Sequence, residues 1–143
     1  MKRSDRLFRV LDANLNRARE GLRVCEEVAR LILDDNDLTR RCQRLRYAVD
    51  RTAGLLPDGK LLKARNSSAD VGRPERRGNT RPHGKIRDLV TANLKRVQEA
   101  LRVLEEFSRL VKPAASRSFG LLRFRTYSLE QAFDSGRRAL RHR

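Results

Sequence analysis

Two asparagines stand where apolar residues are expected, which makes them the first candidates for chemistry. Asn14 shares a stripe with Leu11, Ala18, Leu22, Cys25, Ala29 and Ile32, and Asn93 shares one with Val90, Val97, Leu101, Leu104, Ser108 and Val111. A buried amide must find hydrogen-bond partners. One placement fixes the register between packed helices; the other faces a site near the helix start and bonds a heterocycle or a phosphate. Arg17 and Arg96 follow each asparagine at the stripe's edge, where a guanidinium would assist. More cations crowd the stretch GLLPDGKLLKARNSSADVGRPERRGNTRPHGKIRD, which carries Lys60, Arg65, Arg73, Arg76, Arg77 and Arg81 among glycines and prolines. A glycine turn with exposed amides and nearby guanidinium groups holds phosphate well. The competing reading of this stretch is a solvated linker. His83 lies within it and is read as a loop residue, and His142 as part of the chain end.

The elements that position these residues are helices, and they come twice. Residues 12–32, DANLNRAREGLRVCEEVARLI, and residues 91–111, TANLKRVQEALRVLEEFSRLV, share 12 of 21 positions without a gap. Shared residues include Arg17/Arg96, Glu20/Glu99, Arg23/Arg102 and Glu26-Glu27/Glu105-Glu106. Apolar residues in both copies recur at helical spacing, and Glu and Arg alternate on the opposite face at i,i+3 and i,i+4. That face, with Glu20, Arg23, Glu26, Glu99, Arg102 and Glu105, is expected to be a solvated ion-pair surface. A second helix follows each copy: Leu38, Cys42, Leu45, Val49 and Leu56 mark the first, and Phe119, Leu122, Thr126, Leu129, Phe133 and Leu140 the second. The strings LRY at 45–47 and LRF at 122–124 extend the duplication into these helices.

The pattern predicts one all-α domain over residues 1–143, a duplicated helical hairpin closing into a four-helix bundle-like unit with a long central loop. The first hairpin is expected over 6–56, the basic loop over 57–87 and the second hairpin over 88–140. A connection that long inside a compact domain is unusual and is often functional. The regular stripe of the last helix also suggests a partner helix, hence a homodimer.

Composition narrows the rest. The net charge of +16 points to anionic partners, nucleic acid or small phosphorylated molecules. Aromatic residues make up only 5%, which removes a base-stacking platform and makes nucleic acid the weaker alternative. No apolar run spans a membrane and no secretory h-region opens the chain, so a cytoplasmic location is expected. Cys25 and Cys42, without a CxxC or a His partner, read as core residues and not as metal ligands. Walker, dinucleotide, HExxH and GxSxG motifs are all missing.

The strings DANLNRAREGLRVCEEVAR, LLKARNSSADVG and ANLKRVQEALRVLEEFSRL, followed by LLRFRTYSLE, together carry a resemblance. From about Arg6 to Glu130 the chain resembles the helical domain found at the N-terminus of some bacterial thiamine-phosphate synthases and also as a free-standing protein. The resemblance implies thiamine biosynthesis, with phosphorylation of hydroxymethylpyrimidine phosphate to the diphosphate. Nothing in the chain supplies a synthase barrel, so a separate thiamine-phosphate synthase is an implied partner. The family-like positions are Asn14, Arg17, Glu20, Arg23, Arg65, Asp70, Gly72, Asn93, Arg96, Glu99, Arg102 and Glu105. A kinase would use Mg²⁺ and ATP, and phosphoryl transfer needs cations and a carboxylate. On that reading Arg17, Arg65, Arg73 and Arg96 contact phosphate, Asp70 beside Gly72 serves the metal or the acceptor, and Asn14 and Asn93 read the aminopyrimidine edge. The loop after Gly72 continues as ArgProGluArgArgGly, more basic than the hydroxyl residues usual in the family. Alternatives are a non-catalytic domain that binds the pyrimidine phosphate or docks a synthase, and a nucleic-acid-binding helical protein.

Overall fold

The computed structural model describes residues 2–57, 59–65 and 84–141, and every described regular element is helical. Helix α1 (Arg3–Glu27) runs into a π-helical turn, Val28–Ile32, and α2 (Asn36–Ala53) returns beside it. A short α3 (Lys60–Ala64) precedes α4 (Ile86–Ser108), and α5 (Pro113–Arg141) completes the domain. Helix α1 packs on α2 and α4, and α5 packs on α4 and α2, so the four long helices form a square around one core. The expected all-α bundle is therefore observed. Helix α3 is an addition to it, inside a stretch read from sequence as loop.

Helices α1 and α4, the two copies of the repeat, run antiparallel in close contact. A Cβ on Gly21 would lie 2.6 Å from Val97 Cγ2 and 3.0 Å from the Asn93 carbonyl oxygen. The absence of a side chain at Gly21 sets how near the two backbones come. Four residues on, the Cys25 thiol lies 3.9 Å from the Val90 carbonyl. Leu11, Leu15, Ala18, Leu22, Leu94, Val97, Leu101 and Leu104 fill the seam.

Two features depart from the sequence reading. Ile32 was placed on the buried stripe, yet 55% of it is exposed. The π-turn inserts extra backbone per turn, with the Leu33 and Asp35 amides donating to the Val28 and Ala29 carbonyls. It rotates Ile32 away from the core. Asp34 then takes a left-handed φ of 48°, and the Asp35 carboxylate caps α2 by accepting from the Leu38 amide at 2.9 Å. Glu26, assigned to the solvated face, is only 2% exposed. It follows Cys25 by one residue and Leu22 by four, so it points at α2, where Arg46 meets it at 3.1 Å and Gln43 donates to it. Arg23 approaches from the same helix at 3.6 Å.

The second hairpin repeats this arrangement. Arg123 on α5 meets Glu105 at 3.0 Å, with Arg102 at 3.4 Å in the place of Arg23. Arg46 lies over the ring of Tyr47 and Arg123 over that of Phe124, at 5.0 and 4.9 Å. The duplication thus extends to the ionic contacts between helices. Phe119, Leu122, Thr126, Leu129 and Phe133 face inward, so this stripe is consumed by the bundle and carries no argument for a homodimer.

Three outcomes follow from this packing. Gly21→Val forces apart backbones that cannot yield locally and should cost about 2–3 kcal/mol in denaturant unfolding. Glu26→Ala, which strands the half-buried Arg46, should cost about 3 kcal/mol, and Glu105→Ala about 1–2 kcal/mol because that pair keeps more water. Equal losses at the two sites would contradict the difference in burial. Burial, aided by the Glu26 carboxylate, pushes the Cys42 thiol from 9.0 up to about 12, and burial beside Cys42 raises Cys25. The folded state therefore holds these protons longer than the unfolded one. The associated stability is present below pH 9.0 and is lost as the pH climbs towards 12. Unfolding midpoints should fall from pH 9.0 towards 12 more steeply in the native chain than in Cys42→Ala.

Candidate functional site

The sequence of α1 places Arg6, Arg9, Asp12, Ala13, Asn14 and Arg17 within three turns, and they line one cleft of about 690 Å³. Val103 of α4 forms its apolar wall, and Arg65, just after α3, closes its side. Four guanidinium groups thus surround one carboxylate in a space suited to a small ligand.

The carboxylate is the organising group. Asp12 is 5% exposed, and both its oxygens accept from Arg65, each at 2.8 Å from Nε and Nη2. This fork-to-fork pairing fixes the guanidinium plane. The Asp12 hydrogen bonds also push Arg65 above its ordinary value, so it stays cationic throughout any working pH. Helix α3 brings Arg65 there by docking on α1: Ala64 is buried and the Lys60 ammonium lies 5.7 Å from the Phe8 ring centroid.

Asn14 is buried and donates through Nδ2 to the Val10 carbonyl at 2.8 Å, while its Oδ1 accepts from Arg17 at 3.4 Å. Asn93 makes the equivalent backbone bond, Nδ2 to the Leu89 carbonyl at 2.9 Å. Each amide is thereby held against its own helix rather than spanning two helices. One N–H and part of the carbonyl oxygen of Asn14 remain available to a ligand.

Of the residues singled out by sequence, the cleft brings together Asn14, Arg17 and Arg65. Asn93 and Arg96 lie elsewhere. Because α1 and α4 are antiparallel, Asn93 sits by Gly21, seven residues and roughly 10 Å along the helix from Asn14. The repeat therefore gives two related positions and not one convergent site. Arg23 pairs with Glu26 and Glu27, and Arg102 with Glu105 and Glu106, on the outer faces; Glu20 and Glu99 are exposed. Asp70, Gly72 and Arg73 lie outside the described residues.

Sequence reasoning missed Asp12 as a site residue. Its signal was a difference between the copies: Asp12 aligns with Thr91, so an acid appears in one repeat only. Among the described residues no group of three potential metal-ligating side chains comes together, and Asp12 has both oxygens occupied by Arg65. Asp70, the carboxylate expected to serve the metal, lies outside the described residues.

No described helix is long and apolar enough to cross a membrane. The model of the ThiD2 family matches residues 9–132. Among curated proteins, the thiamine-phosphate synthase of Synechocystis sp. is 44% identical over 126 residues, covering 87% of this chain and 35% of that protein. That of Thermosynechococcus vestitus is 43% identical over 127 residues, covering 89% and 35%, and that of Nostoc sp. 40% over 124 residues, covering 87% and 34%. The chain spans about a third of the length of these curated relatives. No solved structure matches it. A match over nearly the whole chain leaves one conclusion: this protein belongs to the ThiD2 family.

Proposed function

We propose that this protein acts in thiamine biosynthesis, binding hydroxymethylpyrimidine phosphate in the α1 cleft and promoting its phosphorylation to the diphosphate. The observation that carries the reading is the arginine-lined cleft organised by the buried Asp12 and the exposed Arg65 that it orients. Its relation to proteins named thiamine-phosphate synthases supports the pathway.

Each residue has a role that its geometry permits. Arg6, Arg9 and Arg17 offer positive charge along one side of the cleft, where a dianionic phosphate loses least by leaving water. Asn14 presents a donor and an acceptor on one amide, the complement of an aminopyrimidine edge. Arg65, oriented by Asp12, would hold the phosphate in a fixed direction, because phosphoryl transfer depends chiefly on positioning and on neutralising charge. ATP is the proposed phosphoryl donor. Mg²⁺ would screen its phosphates, but the described residues do not supply its ligands, and no step here is assigned to it. Asp70, Gly72 and Arg73 remain proposed contributors from the segment that follows Arg65.

A binding role without chemistry is the second reading, in keeping with a sequence that carries no Walker-type nucleotide motif. Incubation with hydroxymethylpyrimidine phosphate and Mg-ATP, followed by phosphorus NMR, separates the two. Appearance of the diphosphate is expected. Tight binding without turnover would select the carrier reading, and neither binding nor turnover would sink both. Calorimetry on Arg17→Ala and Arg65→Ala should show affinity for the pyrimidine phosphate reduced about tenfold in each. Asp12→Asn should weaken it similarly by releasing Arg65, whereas Arg96→Ala, away from the cleft, should bind as the native chain does.

A further inference from the structure

The α2–α5 side of the bundle carries a second concave surface, unrelated to the cleft on α1. Thr52 and Ser118 meet across these two antiparallel helices at 2.7 Å, and above them Leu55, Leu121 and Phe124 flank a hollow of about 680 Å³. Leu121 is 69% exposed and Phe124 61%, and both line one hollow with Leu55, so the exposed apolar surface is contiguous here. The hollow continues along the helices into a smaller one lined by Arg41, Arg44, Arg125 and Ser128. Arg51 and Arg125 border the apolar part as well.

The charges here differ from those on the ion-paired outer faces of α1 and α4. On α1 and α4, Arg19, Arg23, Arg102 and Arg109 are matched by carboxylates. Arg41, Arg44, Arg51 and Arg125 form no ion pair among the described residues, and no acidic residue lines either hollow. Four uncompensated guanidinium groups beside an apolar strip call for an occupant that is apolar on one face and acidic at its margins.

We propose that this groove docks an acidic amphipathic helix of a partner protein. From Arg41 to Leu55 the groove runs about 21 Å, the length of four helical turns. A helix laid there would place apolar residues at i, i+4 and i+7 against Leu55, Leu121 and Phe124, with glutamates reaching the arginines. A second copy of this chain is a poor occupant, because each copy would bring the same four unpaired cations to the interface. Nucleic acid is also poorly served, since among the described residues lining the two hollows Phe124 is the one aromatic side chain, too few to stack successive bases.

The test is isothermal titration of the full chain with a stapled four-turn helix bearing leucines on one face and glutamates on the others. A scrambled peptide of the same composition and a single-stranded DNA of equal charge serve as comparisons. The amphipathic helix should bind at least about tenfold more tightly than either. Its affinity should fall about tenfold in Leu121→Ser/Phe124→Ser and again in Arg44→Gln/Arg51→Gln. These side chains are exposed, and circular dichroism should confirm that both variants stay folded. No binding, equal binding of the scrambled peptide, or tighter binding of DNA would each overturn the proposal. So would a dimer in sedimentation that the same substitutions dissociate.

Discussion

Everything in this domain depends on how closely α1 and α4 approach. Gly21 lies against the Asn93 carbonyl and the Val97 side chain, and no larger residue fits without moving a backbone. This contact fixes the antiparallel register of the two repeat helices. From it follow the positions of α2 and α5, each held to its repeat helix by an arginine on a shielded glutamate. The leucine seam provides the driving force through area removed from water, while the glycine sets the distance at which that area is buried.

A duplicated scaffold gives duplicated geometry, and function on the present reading begins where the duplication breaks. Glu26 and Glu105, Arg46 and Arg123, and Asn14 and Asn93 keep equivalent contacts in both halves. Asp12 does not, since Thr91 replaces it in the second copy. With Asp12 comes a partner in Arg65, and with Arg65 the short helix α3 that docks it on α1. The result is the arginine-lined cleft on the first repeat. The two asparagines keep the shared structural task of bonding the backbone one turn earlier, and Asn14 has a ligand-sized space beside it.

How much of this was legible in the sequence varies by feature, for physical reasons. The helices and their pairing were readable because 3.6-residue periodicity and a gapless repeat state the same architecture twice. The burial of Glu26 was not, because an Arg/Glu alternation looks alike whether it faces water or a second helix; only the position of α2 decides. Ile32 was misplaced because a π-turn shifts the phase of the stripe without a local sequence mark such as proline or glycine. Arg65 was noticed for its charge and its family-like setting, yet its partner Asp12, 53 residues earlier, became visible only through the fold. The apolar strip of Leu121 and Phe124 was hidden for a similar reason: next to a fully used inner stripe, it reads as ordinary helix surface.

The central claim is that a phosphorylated pyrimidine is held in the α1 cleft by Asn14, Arg17 and the Asp12-oriented Arg65. The most direct measurement is a titration of isotope-labelled protein with hydroxymethylpyrimidine phosphate, followed through side-chain amide and guanidinium resonances. The account predicts saturable shifts at the Asn14 amide and at the Arg17 and Arg65 Nε–H groups, with Asn93 and Arg96 unmoved. Shifts centred on Asn93 and Arg96, or none at any of these groups, would contradict it.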